Sequence, residues 1–135
     1  MDLMNTIAIS ASGMKVQSSR LRVVSENIAN ADSTGTTPGS APYRRKTISF
    51  KDHLDRETGA NLVEVNKIGT DSSQFNRKYD PTNPAANAEG YVLTPNVNTI
   101  MEMMDMREAR RGYEANLNVI EASKNMMSQG INIIR

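Results

Sequence analysis

The chain has 135 residues and a formal net charge of +1, with sixteen basic and fifteen acidic side chains. Hydrophobic residues make up 38% and aromatic residues only 4%, and cysteine is absent. This composition excludes disulfides, thiolate nucleophiles and cysteine metal sites, and the balanced charge argues against a chain-wide polyanion-binding surface. With so few aromatic side chains, a large self-sufficient core is not expected.

Residues 1–30 predict one long helix. Apolar side chains recur at alternating steps of four and three residues, which is the spacing of a heptad seam. The apolar seam positions are Leu3, Ile7, Met14, Leu21, Val24 and Ile28. Asp2 is a candidate N-cap. No basic residue precedes Lys15 and polar residues interrupt the apolar run, so the segment lacks the pattern of a cleaved signal peptide.

Residues 31–95 predict a linker loop followed by a small β-rich insert. All five prolines lie in this region, and its first twelve residues have a loop composition. Partial alternation and β-branched residues predict short strands over residues 43–50 and 61–68, with a further short strand over 91–93. The segment 79–91 is expected to be a loop.

Residues 96–135 predict a second long helix that begins near Pro95, with Thr94 or Asn96 as its cap. Eight of its eleven seam positions are apolar, and five of these are Tyr113, Leu117, Ile120, Met127 and Ile131. A second apolar stripe runs beside the seam through Val119, Met126 and Ile133.

These regions together predict a mainly α fold. The long N- and C-terminal helices would form an antiparallel coiled-coil hairpin, with the small β/loop-rich insert between them. Such a pair leaves its second stripes unburied and is small for an independent domain. The pattern therefore favours a structural subunit whose missing helix partners are other chains.

Residues that could carry out chemistry are sparse. His53 is the single histidine, and with Asp52, Asp55 and Glu57 it does not make a convincing ligand set or catalytic triad. The basic run 44–46 could contact nucleic acid or an anionic lipid, or it could be the charged end of a strand. We predict no enzymatic activity, no cofactor, no bound metal, no nucleic acid and no small-molecule substrate.

Four segments resemble the axial rod and hook family of the bacterial flagellum. They are SENIANADSTG (25–35), GSAPYRRK (39–46), YDPTNPAANAEGYVLTPNVN (79–98) and GYEANLNVIEASKNMMSQGINI (112–133). The first contains the motif Asn27, Ile28, Ala29 and Asn30, which is similar to the family signature. The third is similar to the central motif of a proximal rod protein within that family.

This resemblance implies a structural subunit of the basal-body proximal rod. Such a subunit would polymerise with copies of itself and with other rod proteins, and would stack on the MS ring and export gate. It would leave the cell through the type III export apparatus without a cleaved signal peptide, and act in the periplasmic rod that transmits torque to the hook. The seam residues named above for both helices would form the assembly interface.

Three alternatives remain open from the sequence. The chain could be a soluble coiled-coil export chaperone or adaptor, which would fold as a small oligomer. It could be an enzyme acting on cell-wall polymer, although no convincing carboxylate pair supports that function. It could also be a different proximal rod protein of the same family.

Overall fold

The structure, a computed structural model, describes residues 2–135. Its elements are α1 (Leu3–Ala29), β1 (Lys46–Leu54), β2 (Asn61–Thr70), β3 (Asn76–Tyr79), β4 (Tyr91–Thr94) and α2 (Thr99–Ile134). Helices hold 47% and strands 20% of the residues, and the strands form two separate two-stranded sheets. The predicted mainly α, long-helix coiled-coil hairpin is therefore wrong, and the chain has an α+β fold.

Side-chain caps define where the helices begin and end. The Asp2 carboxylate accepts a hydrogen bond from Met4 N at 3.1 Å, so the predicted cap of α1 is confirmed. At the other end of α1, Asn30 Nδ2 donates to Glu26 O at 2.8 Å. Asn98, rather than Thr94 or Asn96, caps α2, since its Oδ1 accepts from Ile100 N and Met101 N.

The chain divides into two compact units, the first formed by residues 1–21, 48–67 and 107–135. In this unit β1 and β2 form a hairpin, which is tied to α1 at two points. Val63 N donates to Ser12 Oγ at 3.2 Å, and Asn5 Nδ2 donates to Thr58 O at 3.3 Å. Through these two hydrogen bonds the hairpin contacts α1 directly within this unit.

Small residues set the contact between α1 and α2 within this first unit. A Cβ atom at Gly13 would lie 2.7 Å from Asn116 Nδ2, and one at Gly112 would lie 3.2 Å from Gln17 Cδ. Ala109 and Ser123 are buried on the same side of α2. The two helices therefore approach each other most closely at small and polar residues.

The second unit comprises residues 22–47 and 68–106. Strands β3 and β4 pair antiparallel, with Asn76 opposite Thr94 and Tyr79 opposite Tyr91. Its buried apolar side chains are few and of moderate size: Val23, Val24, Pro42, Ala85, Val92, Pro95 and Val97. A core of this size leaves much of the stability of the unit to its polar contacts.

Gly90 shapes the turn that joins β3 to β4. Its φ is +83°, a value that L side chains rarely adopt. A Cβ atom there would lie 2.8 Å from Tyr79 Cε2, so the tyrosine ring fills the space that a side chain would need. Tyr79 then meets Tyr91 edge to face at a centroid distance of 5.4 Å.

Candidate assembly surface

The second unit is held together by a set of polar side chains that we call the Asn27 cluster: Asn27, Tyr43, Arg45, Lys46 and Glu102. Asn27 is fully buried, with 0% of its surface exposed. Its Nδ2 donates to Lys46 O at 2.9 Å and to Glu102 Oε2 at 3.2 Å. Its Oδ1 accepts from Lys46 N and from the Tyr43 hydroxyl, both at 2.8 Å. All four hydrogen-bonding positions of the amide are therefore filled.

Glu102 supplies the negative charge of the Asn27 cluster. It is only 1% exposed, and its Oε1 accepts a hydrogen bond from Arg45 Nε. A carboxylate this deeply buried is tolerated because a cation and an amide donor both contact it. Burial also raises the pKa of Tyr43, which keeps its hydroxyl protonated and able to donate to Asn27.

The basic side chains of residues 44–46 all make contacts within this unit. The Arg44 guanidinium lies 4.2 Å from the centre of the Phe75 ring and donates to Asp71 O at 2.8 Å. Arg45 contacts Glu102, and Lys46 Nζ donates to Glu26 Oε2 at 2.6 Å. Since each cation already has an internal partner, this run matches the strand-end interpretation better than a nucleic-acid surface.

Acid is expected to weaken this unit, because its partly exposed carboxylates have lowered pKa values. Hydrogen bonds from Ser73, aided by the charge of Arg45, lower the pKa of Asp71. The hydrogen bond from Lys46 lowers the pKa of Glu26. Such groups stabilise the fold above their unfolded-state pKa and lose that contribution as the pH falls through their folded-state pKa.

We therefore expect the thermal midpoint to change little between about pH 7 and pH 5, and to fall below about pH 4. Circular dichroism melts across this range measure it. For each of the variants Asp71→Asn and Glu26→Gln, the thermal midpoint should fall less with decreasing pH than it does for the parent chain. A parent midpoint that stays level or rises as the pH drops from about 5 to about 3 contradicts the expectation.

The structure places the predicted assembly residues at different depths. Val24 is buried, at 4% exposure. Eight are half-buried: Leu3, Ile7, Met14, Leu21, Ile28, Tyr113, Ile120 and Met127. Leu117 and Ile131 are exposed, at 37% and 58%. The role of these residues in assembly stays a prediction.

Large apolar side chains remain exposed along α2. In the first unit they include Val119 (42%), Met126 (52%), Ile133 (84%) and Ile134 (87%). At the start of the helix, in the second unit, Ile100 is 70% and Met104 is 61% exposed. Exposed apolar side chains that recur along one helix mark a surface for another protein chain. We take the surface of α2 as the candidate functional site.

The sequence did not reveal two features of the Asn27 cluster. Asn27 and Asn30 belong to the motif that is similar to the family signature; Asn30 bonds at the end of α1, whereas Asn27 holds Lys46 and Glu102. Glu102 was not identified from the sequence as a functional or buried residue. The one sequence signal that could have identified Glu102 as buried is its spacing of four residues from Met106. This spacing places Glu102 on the buried side of α2, near the start of the helix.

Two negative findings complete the description. Among residues 2–135, no group of three or more histidine, cysteine, aspartate or glutamate side chains is placed to hold a metal ion. In the same part of the chain, no helix is long and apolar enough to cross a membrane.

Two protein-family models match the chain. The one described as "Flagella basal body rod protein" matches residues 7–36, which include Asn27 and Asn30. The one described as "Flagellar basal body rod FlgEFG protein C-terminal" matches residues 88–133, which include Glu102 and most of α2. Two residues of the Asn27 cluster, Asn27 and Glu102, and most of the candidate assembly surface therefore lie in matched segments.

Curated relatives match nearly the full length. The chain is 53% identical over 127 residues to the "Flagellar basal-body rod protein FlgC" of Agrobacterium fabrum, which covers 94% of this chain and 91% of the relative. It is 39% identical to the protein of that name from Bacillus subtilis, with 98% and 99% covered. It is 40% identical to the one from Salmonella typhimurium, with 94% of each covered.

Proposed function

We propose, from the premise that this chain belongs to the FlgC family of flagellar basal-body rod proteins, that it is a structural subunit of the proximal rod. Identity of 53% over nearly the full length of a named rod protein is the observation that carries this proposal. The chain accordingly assembles with other rod proteins in the flagellar basal body. The relatives are named as rod components, a structural class, and we infer that this chain is likewise not an enzyme.

The finer parts of the proposal concern partners and location. Copies of the chain would contact one another and other rod proteins in the periplasm, and the base of the assembly would meet the MS ring and the export gate. Delivery would use the type III export apparatus without removal of a signal peptide. The exposed apolar residues of α2, Ile133 at 84% above all, support burial against such neighbours.

Torque transmission would depend on packing between subunits. Densely packed interiors have low compressibility and transmit strain. The close approach of the helices at Gly13 and Gly112 would make the first unit stiff, and the buried Asn27 cluster would do the same for the second. Subunits of this kind, joined through α2, would rotate together as a drive shaft.

Deletion of the gene tests the proposal. We expect electron micrographs of basal bodies from the deletion strain to show rings without a completed rod, hook or filament, and cells that do not swim. A plasmid copy of the gene should restore all three structures. Complete hook–basal bodies in the deletion strain would overturn the proposal and favour the soluble export adaptor instead.

A further inference from the structure

We propose that the free edge of β4 binds an extended segment of another protein in which an acidic residue lies between two apolar residues. The site is a groove of about 300 Å³ in the second unit, between β4 and a loop that contains Gly39 and Ser40. We call it the β4 groove. Its walls come mainly from the segments 39–46 and 79–98, which are far apart in the sequence. Such binding would go beyond the proposed role in the rod and does not depend on it.

The hydrogen-bond pattern of the second sheet determines which backbone groups of β4 point outward. Bonded and non-bonded pairs alternate along an antiparallel ladder, and Asp80 N donates to Gly90 O at 2.9 Å. In the register of β3 and β4, Tyr91 and Leu93 therefore lie in non-bonded pairs, and their N–H and C=O groups point away from β3. Asn87 binds both of these groups of Tyr91, at 2.9 Å each.

Leu93 is the open position on this edge. Within the described part of the chain, no other segment binds its outward N–H and C=O groups. Unpaired groups on the edge of a sheet are a template for a further strand. A residue placed opposite Leu93 would donate its N–H to Leu93 O and accept from Leu93 N through its own C=O. The backbone of β4 therefore selects a polypeptide in extended conformation as the occupant.

Arg77 brings a positive charge to the β4 groove. It lies on β3 opposite Leu93, and its guanidinium reaches across to lie 5.3 Å from the centre of the Tyr91 ring. Among residues 2–135, no carboxylate forms a salt bridge with it. Directly opposed residues of neighbouring strands share a face, so a glutamate opposite Leu93 would lie on the same face as Arg77. Charge complementarity therefore favours an acidic residue at that position.

Apolar side chains line the inner part of the groove. Val92, which is 2% exposed, and Ala85, which is 7% exposed, both contribute to it. Successive residues of a strand point to opposite faces, so both neighbours of the bound acidic residue would point to the side of Val92. Apolar side chains there would remove further apolar surface from water. The groove thus fits an apolar–acidic–apolar sequence.

The exposed face beside the groove is ordered before any partner binds. Tyr79 is 64% and Tyr91 is 41% exposed, yet the Tyr79 ring packs against Gly90 and meets Tyr91 edge to face. Arg77 is held over the Tyr91 ring. Tyrosine and arginine are enriched among the residues that contribute most binding energy, and side chains that are already ordered lose less entropy on binding. This face has the chemistry of a protein-binding surface.

Titration of the isotope-labelled full chain with two synthetic peptides, followed by nuclear magnetic resonance, tests the proposal. The probes are acetyl-TVEVT-amide and acetyl-TVKVT-amide. We expect weak binding, since five residues make a far smaller contact than the roughly 20–30 residues a side of a standard interface. The glutamate peptide should move the Leu93 amide resonance downfield as its N–H gains a hydrogen bond. It should bind at least about threefold more tightly than the lysine peptide, as expected for a partly exposed ion pair.

Two variants and a modified peptide assign the contacts. In Arg77→Glu the preference should reverse, so that the lysine peptide binds more tightly. Lys78→Glu is the matched control, because it makes the same change of charge at an exposed residue whose side chain lies on the opposite face of β3. This control should keep the preference for glutamate. A methyl group on the backbone nitrogen of the peptide's glutamate removes the donor to Leu93 O, and should abolish the shift at Leu93.

Three results would overturn the proposal. A Leu93 resonance that responds to neither peptide means that the edge of β4 binds no strand. Equal affinity of the two peptides, or an Arg77→Glu chain that keeps the parent's preference, means that Arg77 does not select an acidic residue. Shifts confined to β1 or α2 place the bound peptide at another site. None of these results alters the phenotype expected of the deletion strain, so the proposed function is tested separately.

Discussion

Replacement of Asn27 by aspartate is expected to lower the free energy of unfolding by about 3–5 kcal/mol, because it places an unpaired carboxylate beside a buried one. The substitution conserves shape but converts the two N–H donors of the amide into acceptors. Lys46 O and Glu102 Oε2, which lie 2.9 and 3.2 Å from Nδ2, would then each face a carboxylate oxygen without a proton. A loss of this size is a large part of the total stability of a small domain.

Urea unfolding of the purified chain, followed by circular dichroism, measures this loss. Asn66→Asp is the matched control, since Asn66 is exposed in β2 and its single side-chain hydrogen bond, to Ser49 Oγ, is long at 3.4 Å. The control should stay within about 0.5 kcal/mol of the parent. An Asn27→Asp chain that unfolds at the same urea concentration as Asn66→Asp would show that the Asn27 cluster does not stabilise the fold.

The pH dependence of the same variant gives a second check. An aspartate at position 27 would lie close to Glu102, so its pKa should be raised in the folded state relative to the unfolded state. A group with a raised carboxyl pKa favours the folded state increasingly as the pH falls, because the folded state binds the proton more tightly. The stability difference between Asn27→Asp and the parent should therefore narrow at low pH.

Local patterns in the sequence correctly predicted much of the secondary structure. The predicted strands over 43–50 and 61–68 overlap β1 (Lys46–Leu54) and β2 (Asn61–Thr70), because both carry β-branched or apolar residues at alternating positions. Asp2 was identified as a cap because its side chain acts on the backbone two residues further on. Interactions this short in range can be predicted from neighbouring residues alone.

Strand β3 was missed for a physical reason. Its four residues, Asn76–Tyr79, are all exposed, so they carry no alternation of apolar and polar side chains. What holds them is pairing with β4, a contact made across the turn at Gly90. The segment 79–91, which was predicted to be a loop, includes this turn. The prediction did not identify β3, the strand that precedes the turn. The structure of such a segment depends on pairing with residues distant in sequence, and hydrophobic periodicity does not reveal that pairing.

The sequence did not determine which residues of α2 face α1 and which face another chain. In the structure Gly112 and Asn116 contact α1, while Met103 is 58% and Leu117 is 37% exposed. Periodicity reports where apolar residues recur, not which chain covers them. In a subunit made to assemble, the largest apolar residues can be reserved for neighbours, and the helices of one chain then meet through small residues.

Substitution of Val119 by aspartate is the change expected to damage motility most while leaving the isolated chain intact. Val119 is 42% exposed, and valine and aspartate have similar helix propensities, so helix content and unfolding should match the parent. In the assembly the same carboxylate would be buried against a neighbouring subunit without a partner. Burial of an unpaired charge costs several kcal/mol, which lowers rod completion by more than about tenfold, since 1.4 kcal/mol is a factor of ten.

Soft-agar swimming and counts of complete hook–basal bodies measure this effect. Asn118→Asp is the matched control, because it adds the same charge one residue away, at an exposed position about 100° around the helix. We expect the control to swim at close to the parent rate. Equal swimming of both variants would mean that Val119 stays in solvent in the rod, whereas loss of helix content in Val119→Asp would mean that Val119 stabilises the chain itself. Motility lost together with a normal monomer is the result that assigns Val119 to contact between subunits.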